Sequence, residues 1–182
     1  ALEQLTPAVL PAQMICFIGS TLGNLKPEEM DLFLAQVKAT LQPGGYFLLG
    51  VDLQKSKALL EAAYNDAQGV TAEFNLNLLA HLNWRFQGDF DINQFEHQAI
   101  YNDQQGQIEM YLRSLKPQTI ALQSLNLTVE LAMGETILSE ISRKFNLAKL
   151  QQELEHKGLY PLKVFIDEKQ WFGLILCQSH GA

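Results

Sequence analysis

No stretch of this chain approaches the roughly 20 consecutive apolar residues that a helix needs to cross a bilayer. The N-terminus also lacks the basic-then-apolar order of a secretory leader. Both absences point to a cytoplasmic protein with no membrane segment. Positive charge is scarce: 13 Lys and Arg stand against 20 Asp and Glu, the net charge is −7, and the basic residues form no cluster. Nucleic acids and anionic membranes release counterions only to a basic patch, so neither is expected as a partner and a small-molecule ligand is favoured. Cysteine is rare. Cys16 and Cys177 each sit inside an apolar run, which predicts two buried, reduced thiols rather than a disulfide framework. The four histidines (His81, His97, His156, His180) have no metal-ligand spacing among themselves or with the cysteines, so no metal site is assigned. A Walker-type loop and a Gly-x-Ser-x-Gly nucleophile elbow are also missing.

What is present suffices for a folded domain. Of 182 residues, 47% are apolar and 18% charged, a mixture able to build a core for one domain or one domain with an insertion. Residues 14–20 (Met-Ile-Cys-Phe-Ile-Gly-Ser) form a continuous apolar run of the kind found in parallel strands buried on both faces. Pro27 with Glu28 and Glu29 starts a helix, because proline suits the first turn and acids suit its positive end. Met30, Phe33, Leu34, Val37 and Leu41 keep helical spacing until Pro43-Gly44-Gly45 stops it, and 46–53 reads as a second buried strand. This is a βαβ unit.

Beyond Asp52 the pattern changes. Residues 56–67 and 71–84 read as helices, and strands over 98–102 and 107–114 flank a turn at Asp103-Gln104-Gln105-Gly106. Short strands follow at 118–122 and 125–131, the latter with Leu125, Leu127, Val129 and Leu131 on one face. At the end, Leu147, Leu150 and Leu154 mark a helix closed by Gly158, and 162–166 and 171–177 form a hairpin. The order is β-α-β, a mixed helical and antiparallel insertion, then α-β-β.

Ligands of open α/β sheets sit beyond the carboxyl ends of the strands, where Gly19-Ser20-Thr21-Leu22-Gly23-Asn24 follows the first strand. Its two glycines allow close backbone approach to a ligand, and Asn24 offers a donor and an acceptor suited to an amino-acid head group. The alternative is that Asn24 caps the helix at Pro27. Glu140 and Ser142 lie two apart, on one face if the segment is extended, where a carboxylate and a hydroxyl can read a heteroaromatic ring. A solvated strand or a helical turn would leave them without that role. Tyr64 on the 56–67 helix and Met110 on an apolar stripe have packing as their plain reading.

Several stretches, in order across nearly the whole chain, resemble the histidine-specific methyltransferases that trimethylate the α-amine of L-histidine on the route to ergothioneine. They are Phe-Ile-Gly-Ser-Thr-Leu-Gly-Asn-Leu from Phe17, Gly-Val-Thr-Ala-Glu-Phe-Asn-Leu-Asn from Gly69, Asp-Phe-Asp from Asp89, Phe-Glu-His-Gln-Ala from Phe95, Ile-Glu-Met-Tyr-Leu-Arg from Ile108, and Gly-Glu-Thr-Ile-Leu-Ser-Glu-Ile-Ser-Arg-Lys-Phe from Gly134. The resemblance implies an α/β fold: the second half of a class I methyltransferase Rossmann-like sheet over 1–54 and 145–182, with a substrate-binding insertion of mixed helices and antiparallel strands over 55–144. It assigns Asn24 and Tyr64 to the substrate's amino-acid end, Glu140 and Ser142 to the imidazole, and Met110 to the wall of the ring pocket. It places the S-adenosylmethionine-binding residues upstream of Ala1, in a missing N-terminal half. The chain alone is then expected neither to hold the cofactor nor to catalyse, and no residue here is assigned to catalysis. In the complete enzyme the methyl passes directly from the sulfonium to the α-nitrogen, and the protein's task is alignment, worth about 7–11 kcal/mol. Two other readings stand open: a non-catalytic amino-acid-binding module, and methylation of another amino acid or imidazole compound.

Overall fold

In the computed structural model, which describes residues 12–180, the chain separates into two compact units, Ala1–Lys55 with Ser142–Ala182, and Ser56–Ile141. In the first, β1 (Met14–Phe17) is followed by a 3-10 turn at Thr21–Asn24, α1 (Pro27–Thr40) and β2 (Tyr46–Asp52). β1 and β2 pair in parallel, Met14 opposite Tyr46 through Phe17 opposite Leu49. After the second unit come α4 (Leu147–His156), β8 (Leu159–Ile166) and β9 (Phe172–Ser179). β9 lies antiparallel between β2 and β8, which gives the sheet order β1-β2-β9-β8. The topology is the one expected from the sequence, a parallel pair reached through a helix and finished by an antiparallel hairpin.

One face of this sheet carries the core. Phe47, Leu49 and Val51 alternate along β2, and Phe47 and Leu49 stand opposite Cys177 and Ile175 of β9, all fully buried. Leu34 and Val37 of α1 and Leu150 and Leu154 of α4 join the same cluster. Burying each such side chain stabilises by about 1.5–3 kcal/mol. The opposite face is less covered: Tyr46, Leu48 and Asp52 are half-buried. β1 departs further from the expectation of a strand buried on both faces. Met14 and Cys16 are exposed and only Ile15 is buried, because β1 is the end strand of the sheet and only one of its faces meets the cluster. Cys16 is therefore not a buried thiol, whereas Cys177 is.

Several boundaries differ from the sequence expectation, among them those of β1, β8 and the strand expected from Leu125. β1 stops at Phe17 rather than residue 20, since Ser20 adopts a left-handed φ of 56°. β8 begins at Leu159, ahead of Pro161, with a register shift between Pro161 and Lys163. An end strand tolerates a proline, whose missing N–H can face away from the ladder. The expected strand from Leu125 starts at Leu127, after a 3-10 turn at Gln123–Leu125 and Asn126 at φ 48°. Leu125 and Leu127 are exposed, and only Leu131 of that row is buried.

The second unit contains α2 (Lys57–Tyr64), α3 (Val70–Phe86), β3 (Phe95–Asn102), β4 (Gln107–Ser114), β5 (Gln118–Leu122) and β6 (Leu127–Leu131), with most of β7 (Thr136–Arg143). β3, β4 and β7 form one sheet in that order, and β5 and β6 a separate antiparallel pair. Leu79 of α3 packs with Phe95, Leu112, Ile120 and Leu131. α2 ends at Tyr64, three residues before the expected end, because Asn65 substitutes for a strand residue. Its Nδ2 donates to the Ala99 carbonyl at 2.9 Å and its Oδ1 accepts from the Ala99 amide at 3.0 Å. Among the described residues no helix is long and apolar enough to cross a membrane.

Burial, with the Glu155 carboxylate as a smaller contribution, pushes the Cys177 thiol up to about 12. The reactive thiolate is then almost absent at pH 8. Native protein treated with a thiol reagent at pH 8 leaves Cys177 unmodified until denaturant is added, read by peptide mass mapping. Rapid native labelling of Cys177 would contradict the buried core.

Candidate functional site

The turn after β1 is shaped by the protein's own backbone. Ser20 donates its amide to the Gly50 carbonyl at 3.2 Å, and its hydroxyl oxygen accepts from the Asp52 amide at 2.8 Å. A Cβ on Gly23 would come within 2.6 Å of the Arg143 carbonyl oxygen. Gly23 therefore permits a close internal backbone approach. Asn24 closes the 3-10 turn and is exposed. It does not cap α1. Lys26 is the N-cap residue there, and the Glu29 carboxylate accepts from its amide at 2.7 Å.

Asp52, at the carboxyl end of β2, collects the charges of this unit. Its carboxylate takes Lys55 Nζ, and Lys144 Nζ at 2.9 Å. Lys144 is 3% exposed, and it also donates to Ser142 Oγ at 2.8 Å. Ser142 thus accepts from a buried ammonium. Backbone bonds reinforce the junction: Phe145 donates to the Asp52 carbonyl at 2.9 Å, and Gln54 to the Phe145 carbonyl at 3.1 Å.

In the other unit, Glu140 and Ser139 of β7 and Phe74, Asn75, Leu78 and His81 of α3 line a mainly apolar cavity of about 280 Å³. β7 is extended through Arg143, so residues two apart, as Glu140 and Ser142 are, share a face of the strand. Ser139 Oγ donates to the Met110 carbonyl at 2.9 Å, which fastens the strand bearing Glu140 to β4. Met110 is 2% exposed in an apolar cluster with Leu60, Ala99, Tyr101 and Ile108, and Tyr64 packs against that cluster. Tyr64, Met110 and Glu140 therefore belong to one unit, and Asn24 and Ser142 to the other. Among the described residues no group of three or more His, Cys, Asp and Glu side chains is placed to hold a metal ion.

The profile of the SAM-dependent, histidine-specific methyltransferase family matches residues 1–179. The chain belongs to that family. A histidine N-alpha-methyltransferase of Mycolicibacterium smegmatis is 43% identical over 164 residues, 90% of this chain and 51% of that protein. An L-tryptophan methyltransferase of Psilocybe serbica is 26% identical over 169 residues, 92% of this chain and 47% of that protein. Among solved structures, an S-adenosylmethionine-dependent methyltransferase from Clostridium acetobutylicum aligns with a TM-score of 0.49 at 11% identity, covering 100% of this chain and 63% of that one. The chain spans about half the length of the curated relatives it matches.

Sequence reasoning gave no role to Asp52, Lys144, Asn75 or His97. A signal for Asn75 did exist. Asn75, Leu79, Leu82 and Phe86 follow helical spacing, so the amide falls on the inward face of α3, where a polar group needs partners.

α3 is launched by Asp66, whose Oδ1 accepts from the Thr71 amide at 2.8 Å and Oδ2 from the Val70 amide at 3.0 Å. Donation from the Thr71 backbone, then its side chain, then Val70, holds the Asp66 carboxyl down at about 2. A carboxyl depressed in the folded state stabilises above its unfolded value near 4, and that contribution is lost as pH falls through about 2. A carbon-detected NMR titration is expected to give Asp66 a midpoint near 2. A midpoint near 4 would show that the α3 start is not held by this carboxylate.

Proposed function

We propose that this chain is the substrate-gripping part of an enzyme that methylates the α-amine of L-histidine, and that Glu140 reads the imidazole. The observation that carries the reading is a carboxylate set in a small, mainly apolar cavity with Phe74 and Leu78. A flat heteroaromatic ring fits such walls, and its N–H donates to the carboxylate in a charge-assisted bond. A ligand without that N–H forgoes this charge-assisted bond, which is how a polar site rejects near-isosteres. Ser142, Tyr64, Met110 and Asn24 are proposed as the remaining substrate contacts: Ser142 at the ring, Met110 as its apolar wall, Tyr64 and Asn24 at the amino-acid end.

S-adenosylmethionine, when bound to the complete enzyme, supplies the methyl group from its sulfonium. The residues of this chain hold the amine in position for it, and such alignment is where most of the catalysis resides. The cofactor-binding half is proposed to lie outside this chain, consistent with its spanning about half of its relatives. The L-tryptophan methyltransferase relative makes another aromatic amino acid the reading to be tested against.

Two outcomes follow. Calorimetry of the 182-residue chain with S-adenosylmethionine is expected to show no low-micromolar 1:1 binding, and observing such binding would place the cofactor site here instead. In the complete protein, Glu140→Ala is expected to weaken histidine binding by about 1.5–3 kcal/mol, the range for a hydrogen bond to a charged group. Selectivity over tryptophan falls with it, and S-adenosylmethionine affinity barely changes. An unaltered histidine affinity would remove the main support for the substrate assignment.

A further inference from the structure

Asn75 is a 3% exposed amide in the middle of α3, and its orientation is decided by a histidine on β3. His97 Nε2 lies 2.8 Å from the Tyr64 carbonyl oxygen. A carbonyl can only accept, so Nε2 carries the proton and, in the neutral ring, Nδ1 presents a lone pair. The Asn75 atom 2.9 Å from Nδ1 is Nδ2, a donor as this tautomer requires. Nδ2 also donates to the Tyr111 carbonyl at 3.1 Å. Two acceptors therefore fix the amide, and a flipped amide would set oxygen against both of them. Both amide hydrogens are used. Among the described residues Oδ1 accepts no hydrogen bond, and Asn75 lines the cavity that holds Glu140.

We propose that Asn75 Oδ1 is a second acceptor of this cavity, that it and the Glu140 carboxylate read two N–H groups of one heteroaromatic ring, and that His97 is the positioning residue that aims it. The inference rests on the histidine reading given above and sharpens it. An imidazole protonated at both nitrogens satisfies a pair of acceptors. An indole, with a single N–H, cannot donate to both acceptors, and the missing bond discriminates against it. His97 acts through Asn75 and has no ligand contact of its own. Its link to the Tyr64 carbonyl also ties the end of α2 to the same lock.

The test is a set of titrations of the complete protein with L-histidine and its two ring-N-methylated isomers, in wild type, Asn75→Ala, Glu140→Ala and His97→Leu. In wild type each ring methyl blocks one acceptor, so both isomers bind at least about tenfold more weakly than histidine, tenfold being 1.4 kcal/mol. Asn75→Ala is expected to relieve the discrimination against one isomer only, and Glu140→Ala against the other. His97→Leu is expected to shift the same isomer ratio as Asn75→Ala, a change that general loosening of the fold would not produce. Equal weakening of all ligands, or an unmoved isomer ratio in Asn75→Ala, overturns the proposal. Should the variants fail to fold, nitrogen NMR of ring-labelled histidine bound to wild type decides it: two protonated ring nitrogens support the proposal, and one bare nitrogen overturns it. Wild type that ignores histidine altogether overturns the substrate reading, and this inference with it.

Discussion

A lysine ammonium with almost no access to water is the constraint on which the sheet-bearing unit depends. Lys144 is 3% exposed, and its charge is stabilised by Asp52 at 2.9 Å and by a bond to Ser142. An isolated buried ammonium carries a desolvation penalty of several kcal/mol, which the Asp52 carboxylate helps to offset. Asp52 in turn holds more than the lysine. Its amide donates to Ser20 Oγ, and its carbonyl accepts from Phe145. The turn that presents Asn24 and the strand end that presents Ser142 are thus referred to one residue of β2.

The insertion solves a related problem with neutral groups. Asn65 pairs with both backbone groups of Ala99, and Asn83 does the same with Phe90, donating to its carbonyl and accepting from its amide at 2.8 Å each. Each asparagine stands in for a peptide unit and satisfies backbone that would otherwise be stranded at a helix–strand junction. Glu109 is a further node. Donation from Tyr111 Oη, and then from Gln107 and Asn102, holds its carboxyl below the usual range, and the same contact raises the Tyr111 phenol. Polar side chains, as much as apolar area, decide where these elements start and stop.

That explains what the sequence made legible. The βαβ unit is announced by Pro27, the row Met30-Leu34-Val37 and Pro43-Gly44-Gly45, all local signals, and the parallel pairing of β1 with β2 follows from them. The closing hairpin is announced by its two apolar runs and the Asp167 turn, whose carboxylate takes the amides of Trp171 and Phe172. Periodicity does not report which face of a strand is covered, so the exposure of Met14 and Cys16 was invisible. Nor does it report a partner 34 residues away, as for Asn65 and Ala99. The spacing of Glu140 and Ser142 becomes meaningful only because β7 is extended, and the roles given to Asn24, Tyr64 and Met110 came from family motifs rather than pattern. Asn75, His97 and Lys144 escaped notice because each acquires its meaning from a distant carbonyl or carboxylate.

The central claim, that the sheet unit is organised around the Asp52–Lys144 pair, is tested most directly by a double-mutant cycle on unfolding of the complete protein. Asp52→Asn removes the carboxylate charge 2.9 Å from the buried ammonium and is predicted to cost about 3–5 kcal/mol. Lys144→Met added to that variant removes the buried charge. The double variant is then predicted to be more stable than the sum of the single effects by well over about 1 kcal/mol. Effects that add to within about 0.5 kcal/mol would contradict the account, because they would show that the two residues do not sense each other.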